Sequence, residues 1–194
     1  KLYHNRRENA SDCTHRAADD LHSMERKGGM QMERNNACIV RALSPAYAGR
    51  EGELTAVLQY VYQAILLDGC GKTQEAKTIL KIAVQEMHHL EKLGGLLVSL
   101  GVPPVFTACP PYPVAYYSAA NVDYVRQLPQ MLDSDIRAER EAIACYTRIL
   151  RTVRDEKVCA VITEIRADEE RHLAAFEEMR RSLCDRQPTR DPQA

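Results

Sequence analysis

Residues 79–93 read ILKIAVQEMHHLEKL, and stepping through them by three and four gives Ile79, Ile82, Glu86, His89 and Leu93. Apolar residues at that period mark the inward stripe of an amphipathic helix. Here a carboxylate and an imidazole stand in the stripe where leucines belong. Followed outward, the stripe takes in Leu96 and Leu100, and the pattern runs from near Thr73 until Gly101 and Pro103-Pro104 stop it.

Three other stretches carry the same pattern. A first helix opens at Ser44-Pro45, read as an N-cap and first-turn proline, and runs to about Asp68 with Glu53, Val57, Tyr60, Ala64 and Leu67 inward. A third runs from near Pro129 to about Val153 through Leu132, Ile136, Glu139, Ile143, Tyr146 and Leu150. Asp155 caps a fourth, which continues to about Cys184 through Ile162, Ile165, Glu169, His172, Phe176 and Met179. Each helix thus puts a carboxylate on its apolar face, and two add a histidine one turn later.

The connections set the topology. Helices one and two, and three and four, are joined by a few residues, so each pair is expected to form an antiparallel hairpin. Between the pairs lies GVPPVFTACPPYPVAYYSAANVDYVRQL (101–128), with five prolines and no helical period. A connection of that length has work to do inside a domain, here carrying the chain from one end of a bundle to the other. The expected fold is all-α: a four-helix bundle of two hairpins joined by one long crossover.

The two halves repeat one another. Glu53-x-x-Ala56-x-x-x-Tyr60 matches Glu139-x-x-Ala142-x-x-x-Tyr146, and Glu86-x-x-His89-Leu90 matches Glu169-x-x-His172-Leu173. A single E-x-x-H on a helix usually belongs to a solvated face. Two of them, each following an E-x-x-A-x-x-x-Y helix, are a duplicated hairpin. Four unpaired buried carboxylates would each cost several kcal/mol, and no Lys or Arg stands on these stripes to compensate. Two divalent cations would, with two neutral imidazoles completing the donor set.

Composition narrows the function. The 194 residues hold 26 Lys+Arg against 27 Asp+Glu, a net charge of −1, which argues against a nucleic-acid binder. No apolar run is long enough to span a bilayer, so no membrane partner is expected, and the start KLYHNRRENASD lacks the apolar centre of a secretory signal. Seven cysteines at 13, 38, 70, 109, 145, 159 and 184 include no C-x-x-C pair. They read as mostly buried thiols of a reducing compartment, which places the chain in a cytoplasm. Residues 1–43 read as a polar extension, in which His4, Cys13, His15 and His22 match no recognisable metal spacing. Residues 44–184 read as the bundle and 185–194 as a tail.

REGELTAVLQYVYQ (50–63) followed by AVQEMHHLEKLGGLLVSLG (83–101) resembles the first hairpin of manganese catalases and of rubrerythrin- or bacterioferritin-like proteins. DIRAEREAIACY (135–146) with ADEERHLAAFEEM (167–179) resembles the second hairpin of rubrerythrins and bacterioferritins. Over residues 44–184 the chain is similar to the ferritin-like diiron and dimanganese carboxylate superfamily. That resemblance implies Glu53, Glu86, His89, Glu139, Glu169 and His172 as ligands of two metal ions, iron by preference or manganese. It implies Asp168 as the partner behind the metal-bound ring of His89, with Gln85 at the matching position of the other half. Tyr60 and Tyr146 are implied either as hydrogen-bond partners or redox-active groups of the site, or as core packing. Glu51, Glu91, Glu141, Glu170 and His88 fall off the stripes and read as solvated. Met87 is not assigned a haem, and none is expected.

The activity implied is that of a ferroxidase or peroxidase-like oxidoreductase acting on dioxygen or hydrogen peroxide, drawing on an external electron donor if a peroxidase. A manganese catalase is the alternative, and iron storage or a shell component the non-enzymatic one, although the tail RQPTRDPQA has no pattern for a fifth helix. A homo-oligomer is the expected assembly.

Overall fold

The inward stripe that begins with Ile79 forms one uninterrupted helix, Thr73–Ser99, in a computed structural model that describes residues 34–108 and 116–185. In chain order the elements are α1 (Arg34–Ala48), α2 (Glu53–Gly69), α3 (Thr73–Ser99), a 3-10 turn (Ala119–Asn121), α4 (Leu128–Thr152) and α5 (Glu156–Asp185). No strand occurs among the described residues. The helices α2 to α5 are the four-helix bundle, with α2 paired to α3 and α4 to α5 as hairpins.

Both hairpin turns have a local cause. Gly71 takes φ 76°, a left-handed value that favours glycine, and Lys72 N–H then closes back on Leu67 O at 2.9 Å. At the second turn Asp155 Oδ1 accepts from Val158 N–H at 2.9 Å, the side-chain cap expected of it. Ile79, Leu93, Leu132, Ile162, Ile165 and Phe176 are fully enclosed or nearly so. Each such side chain contributes on the order of 1.5–3 kcal/mol on burial. Met179, Ile136, Ile143 and Leu150 are half-buried, at the edges of the same stripes.

The start of the first helix differs from the reading of Ser44-Pro45. Residues 34–48 form a separate helix, α1, which spans the boundary expected at residue 44 and packs against α2, α3 and α4. Ser44 Oγ bonds back to Val40 O instead of capping, and Pro45 sits in the last turn of α1. The chain then bends tightly into α2. A Cβ on Gly52 would lie 2.6 Å from the carbonyl oxygens of both Pro45 and Ala46, so only glycine fits beside Glu53.

The crossover is pinned at both described ends. Tyr47 Oη donates to Pro104 O at 3.0 Å and its ring stacks on Phe106. Further on, the rings of Tyr62 and Tyr124 meet edge to face and Asp123 N–H donates to Gln59 Oε1. The expectation of mostly buried thiols does not hold for the cysteines whose side chains are described: Cys38 and Cys70 are exposed, Cys145 and Cys159 half-buried. Cys70 lies in a turn, and the others occupy flanks of helices whose inward positions are taken by larger side chains. His4, Cys13, His15 and His22, like residues 186–194 of the tail, lie outside the described residues. No described helix is long and apolar enough to cross a membrane.

Candidate metal centre

Glu86, Glu139 and Glu169 stand near the middle of their helices and Glu53 opens α2, and the packing of the hairpins brings all four to one level of the bundle. Glu53, Glu86, His89, Glu139, Glu169 and His172 are all buried, none more than 4 % exposed. Donor atoms of Glu53, Glu86, His89 and Glu169 lie within 4.8 Å of one another, as do those of Glu86, Glu139, Glu169 and His172. Glu86 and Glu169 belong to both groups. Glu53 and Glu139 belong to one each.

The orientation of the shared carboxylates explains this. Glu86 points Oε2 at His89 Nδ1 and Oε1 at His172 Nδ1, each at 2.8 Å. Glu169 points Oε2 at His172 Nδ1 (3.1 Å) and Oε1 at His89 Nδ1 (3.0 Å). The two ring centroids are 5.7 Å apart. Glu53 and Glu139 approach from the outside, 3.8 Å from His89 Nδ1 and 3.9 Å from His172 Nδ1. Each shared carboxylate thus spans both rings, with one oxygen to each. Four carboxylates and two imidazoles so arranged fit two divalent cations in number and in donor type.

Electrostatics reflect the crowding. Burial, reinforced by the charges of Glu169 and Glu86, holds the Glu53 carboxyl well above the usual range, and burial with Glu86 and Glu169 does the same to Glu139. Burial also works against charging Glu86, but hydrogen bonds from His172 and His89 prevail and pull it down to about 2. The rings respond in kind. Burial opposes their charge, yet bonds to Glu169, Glu53 and Glu86 raise His89 to about 12, and bonds to Glu169 and Glu86 raise His172 to about 9. In the metal-free fold, protons hold the place of cations.

The flanking residues divide unevenly. Asp168 Oδ2 lies 3.2 Å from His89 Nε2, and the carboxylate is ion-paired to Arg171. Such a partner fixes the tautomer that leaves Nδ1 facing the cluster. His172 Nε2 has no hydrogen-bond partner among the described residues, so Gln85 does not mirror Asp168. The tyrosines cross between halves: Tyr60 Oη donates to Glu139 Oε1 at 2.6 Å, and Tyr146 Oη donates to Glu53 Oε1. Both rings are fully buried, and Tyr60 also packs on Phe176. Glu51, Glu91, Glu141, Glu170 and His88 are exposed, as their off-stripe positions predict.

A cavity of about 300 Å³ enters between α2 and α4. Arg50, Glu51, Arg137 and Glu141 stand at its edge, and Glu53, Glu86, Glu139 and Glu169 form its inner wall. Beside it lies a buried polar group absent from the sequence reading: Gln59, Gln63 and Asp135. The available signal was Asp135 one helical turn before Glu139, with Gln59 and Gln63 flanking Tyr60.

Fold and centre define a four-helix carboxylate-and-histidine protein. The ferritin-like domain family model matches residues 50–183, and the chain belongs to that family. No curated protein matches it by sequence. Among solved structures it is similar to the manganese catalase KatB from Anabaena PCC7120, with 22 % identity over 77 % of this chain and 74 % of that one, and a TM-score of 0.66. It is similar to the Desulfovibrio desulfuricans bacterioferritin at 24 % identity, 82 % and 87 % coverage and a TM-score of 0.66. The bacterioferritin-related dodecameric thioferritin from Bacteroides fragilis gives 20 %, 77 % and 88 %, and 0.64.

Proposed function

We propose that this chain binds two divalent metal ions, iron by preference, and works as an oxidoreductase of ferroxidase or peroxidase type on dioxygen or hydrogen peroxide. The observation that carries the reading is the double orientation of Glu86 and Glu169, each with one oxygen toward His89 and the other toward His172. Glu53 and His89 complete one ion's set, Glu139 and His172 the other's. When bound, such a pair supplies two-electron exchange with an oxygen–oxygen bond.

The chain's own residues set the conditions for that exchange. Asp168 keeps a proton on His89 Nε2, so Nδ1 stays free to donate. Tyr60 and Tyr146 hold the outer carboxylates by their phenolic protons, acting through Glu139 and Glu53. The cavity admits a small polar reactant to the carboxylate wall, while the apolar stripes above and below exclude bulk water. Electrons come from an external donor in a peroxidase cycle. The likeness to a bacterioferritin whose structure is described as having a diiron site supports this reading, as does the superfamily fold. In this reading the protein works in the cytoplasm as a homo-oligomer.

A manganese catalase is the second reading, favoured by the fold likeness to KatB and by a donor set that suits manganese as well as iron. Elemental analysis of natively purified protein, with oxygen-uptake and peroxide assays, tests both. Iron with ferrous-dependent oxygen uptake is the expected result. Manganese with oxygen release from peroxide would transfer the conclusion to the catalase, and a large iron load per chain would transfer it to storage. Neither metal present would overturn the centre itself.

A further inference from the structure

Asp135 is fully enclosed, 0 % exposed, yet belongs to no ion pair among the described residues. Its Oδ1 accepts two hydrogen bonds across the α2–α4 gap, from Gln59 Nε2 at 3.0 Å and Gln63 Nε2 at 2.8 Å. The orientation of Gln59 is fixed independently, because its Oε1 accepts from the backbone N–H of Asp123 at 3.0 Å. Two buried acceptors are left over: Asp135 Oδ2 and Gln63 Oε1, neither of which receives any donor.

An ionised carboxylate needs donors on both oxygens once water is gone, and a buried negative charge without a cation costs several kcal/mol. The groups facing Asp135 supply no such cation. From α2 come Gln59, Gln63 and Tyr60; from the crossover comes Asp123, a like charge; from α4 comes Arg137. Arg137 is largely exposed, and its guanidinium is directed to Ser134 Oγ and Asp123 Oδ2. A single proton removes the charge and adds the one donor the group lacks.

We propose that Asp135 is carried as the neutral carboxylic acid with its proton on Oδ2, and that it forms with Gln63 a two-point acid–amide pair, braced by Gln59, that fixes α2 against α4 beside the entrance to the metal centre. Asp135 is a positioning residue. It stands one turn from Glu139 on α4, and Gln59 and Gln63 flank Tyr60 on α2, so the pair is the rung next to the Tyr60–Glu139 bond. It holds the two helices whose separation sets the width of the cavity. Burial, assisted by Asp123, lifts the Asp135 carboxyl to about 7 against the opposing bonds of Gln63 and Gln59, in keeping with this state. The inference concerns the fold whichever metal the centre takes.

The test compares wild-type and Asp135→Asn full-length, metal-loaded protein by urea unfolding across pH. Asn supplies the amide donor that the protonated acid would supply, without its titration. Native Asp135 keeps a proton that the unfolded chain loses near pH 4. Wild type is therefore expected to lose stability relative to Asp135→Asn by about tenfold in folding constant per pH unit from about 4 to about 7, with no further change above. An Asp135→Asn chain that weakens relative to wild type as pH rises would overturn the proposal. A second measurement needs no variant: infrared spectra of wild type carrying ¹³C-labelled aspartate. An isotope-shifted carbonyl band of a protonated acid at pH 6, lost by pH 8, is expected, and its absence at pH 6 would overturn the proposal as well.

Discussion

Tyr60 Oη lies 2.6 Å from Oε1 of Glu139, a bond that joins the first hairpin to the outer carboxylate of the second. Tyr146 repeats the bond in reverse to Glu53. Each outer glutamate is thus aimed by a residue 79 or 93 positions away in the chain. Hydrogen bonds to charged groups are worth about 1.5–3 kcal/mol. Tyr60→Phe is expected to lower the metal-loaded protein's stability by roughly that amount and to weaken the ion on the Glu139 side about ten- to a hundredfold. Tyr146→Phe should weaken the ion on the Glu53 side instead. Metal titration of the two variants decides, and equal loss at both positions in each variant would contradict the crossed arrangement.

Asp168 stands behind His89 alone, while His172 Nε2 has no described partner. Asp168→Ala is therefore expected to be lopsided. The ion held by His89 should lose about ten- to a hundredfold in affinity and the ion held by His172 little. Stepwise metal binding that changes from two similar sites to two well-separated ones would show it. Uniform weakening would mean that Asp168 acts on the bundle as a whole.

The six buried donors were legible because a helix repeats every 3.6 residues, and a polar residue in an otherwise apolar stripe stands out against its neighbours. Asp135 was not legible for the same reason. It sits beside Ser134 on a helix with Asp133, Arg137 and Arg140, where one more acid looks solvated. Its partners Gln59 and Gln63 are on another helix, so only the packing of α2 on α4 reveals it. The α1 helix was hidden differently. Ser-Pro ordinarily signals a helix start, whereas here Pro45 sits in the last turn of α1 and Ser44 bonds back to Val40.

Gly52 is tied to the centre by one peptide bond. A Cβ there would meet two backbone carbonyl oxygens at 2.6 Å, contacts that no side-chain rotation relieves. Gly52→Ala must shift either the end of α1 or the start of α2, and Glu53 is the first residue of α2. Strain of this kind costs about 1–3 kcal/mol. The expected variant folds, melts lower and binds the ion on the Glu53 side less tightly. Wild-type affinity at that position would show that α2 absorbs the shift before it reaches Glu53.

Shared and unshared carboxylates make different predictions. Glu86→Ala or Glu169→Ala removes a donor from both groups and should weaken both ions, whereas Glu53→Ala should spare the ion of the Glu139 group. The double variant Glu86→Ala/Glu169→Ala should bind neither. A bound ion stabilises the fold by RT ln(1 + [L]/Kd), so chelation should lower the melting temperature of wild type and leave that of the double variant unchanged. Full metal content in the double variant would remove the basis of the site.

The pH dependence of metal-free and loaded protein should part above neutrality. In the metal-free fold, with burial opposing, bonds to Glu169 and Glu86 raise His172 to about 9, and bonds to Glu169, Glu53 and Glu86 raise His89 to about 12. An unfolded ring titrates near 6.5, so between that pH and about 9 the native state holds protons that the unfolded chain has released. The stability these rings contribute is complete below about pH 6.5 and is lost as pH rises, through about 9 for His172 and about 12 for His89. Bound cations require the same nitrogens unprotonated, so the loaded protein lacks this dependence, and loading at neutral pH must expel protons. The slope from Asp135 ends near pH 7 and is common to both forms, while the raised Glu53 and Glu139 carboxyls, charged when they hold cations, add a fall in the same direction to the metal-free form alone. Melting curves of the chelated form should therefore fall steadily from about pH 7 to about 9 while those of the loaded form stay level. Parallel curves would mean that the histidines hold no extra protons in the metal-free fold, and calorimetry in two buffers of different ionisation heat would then show no proton release on loading.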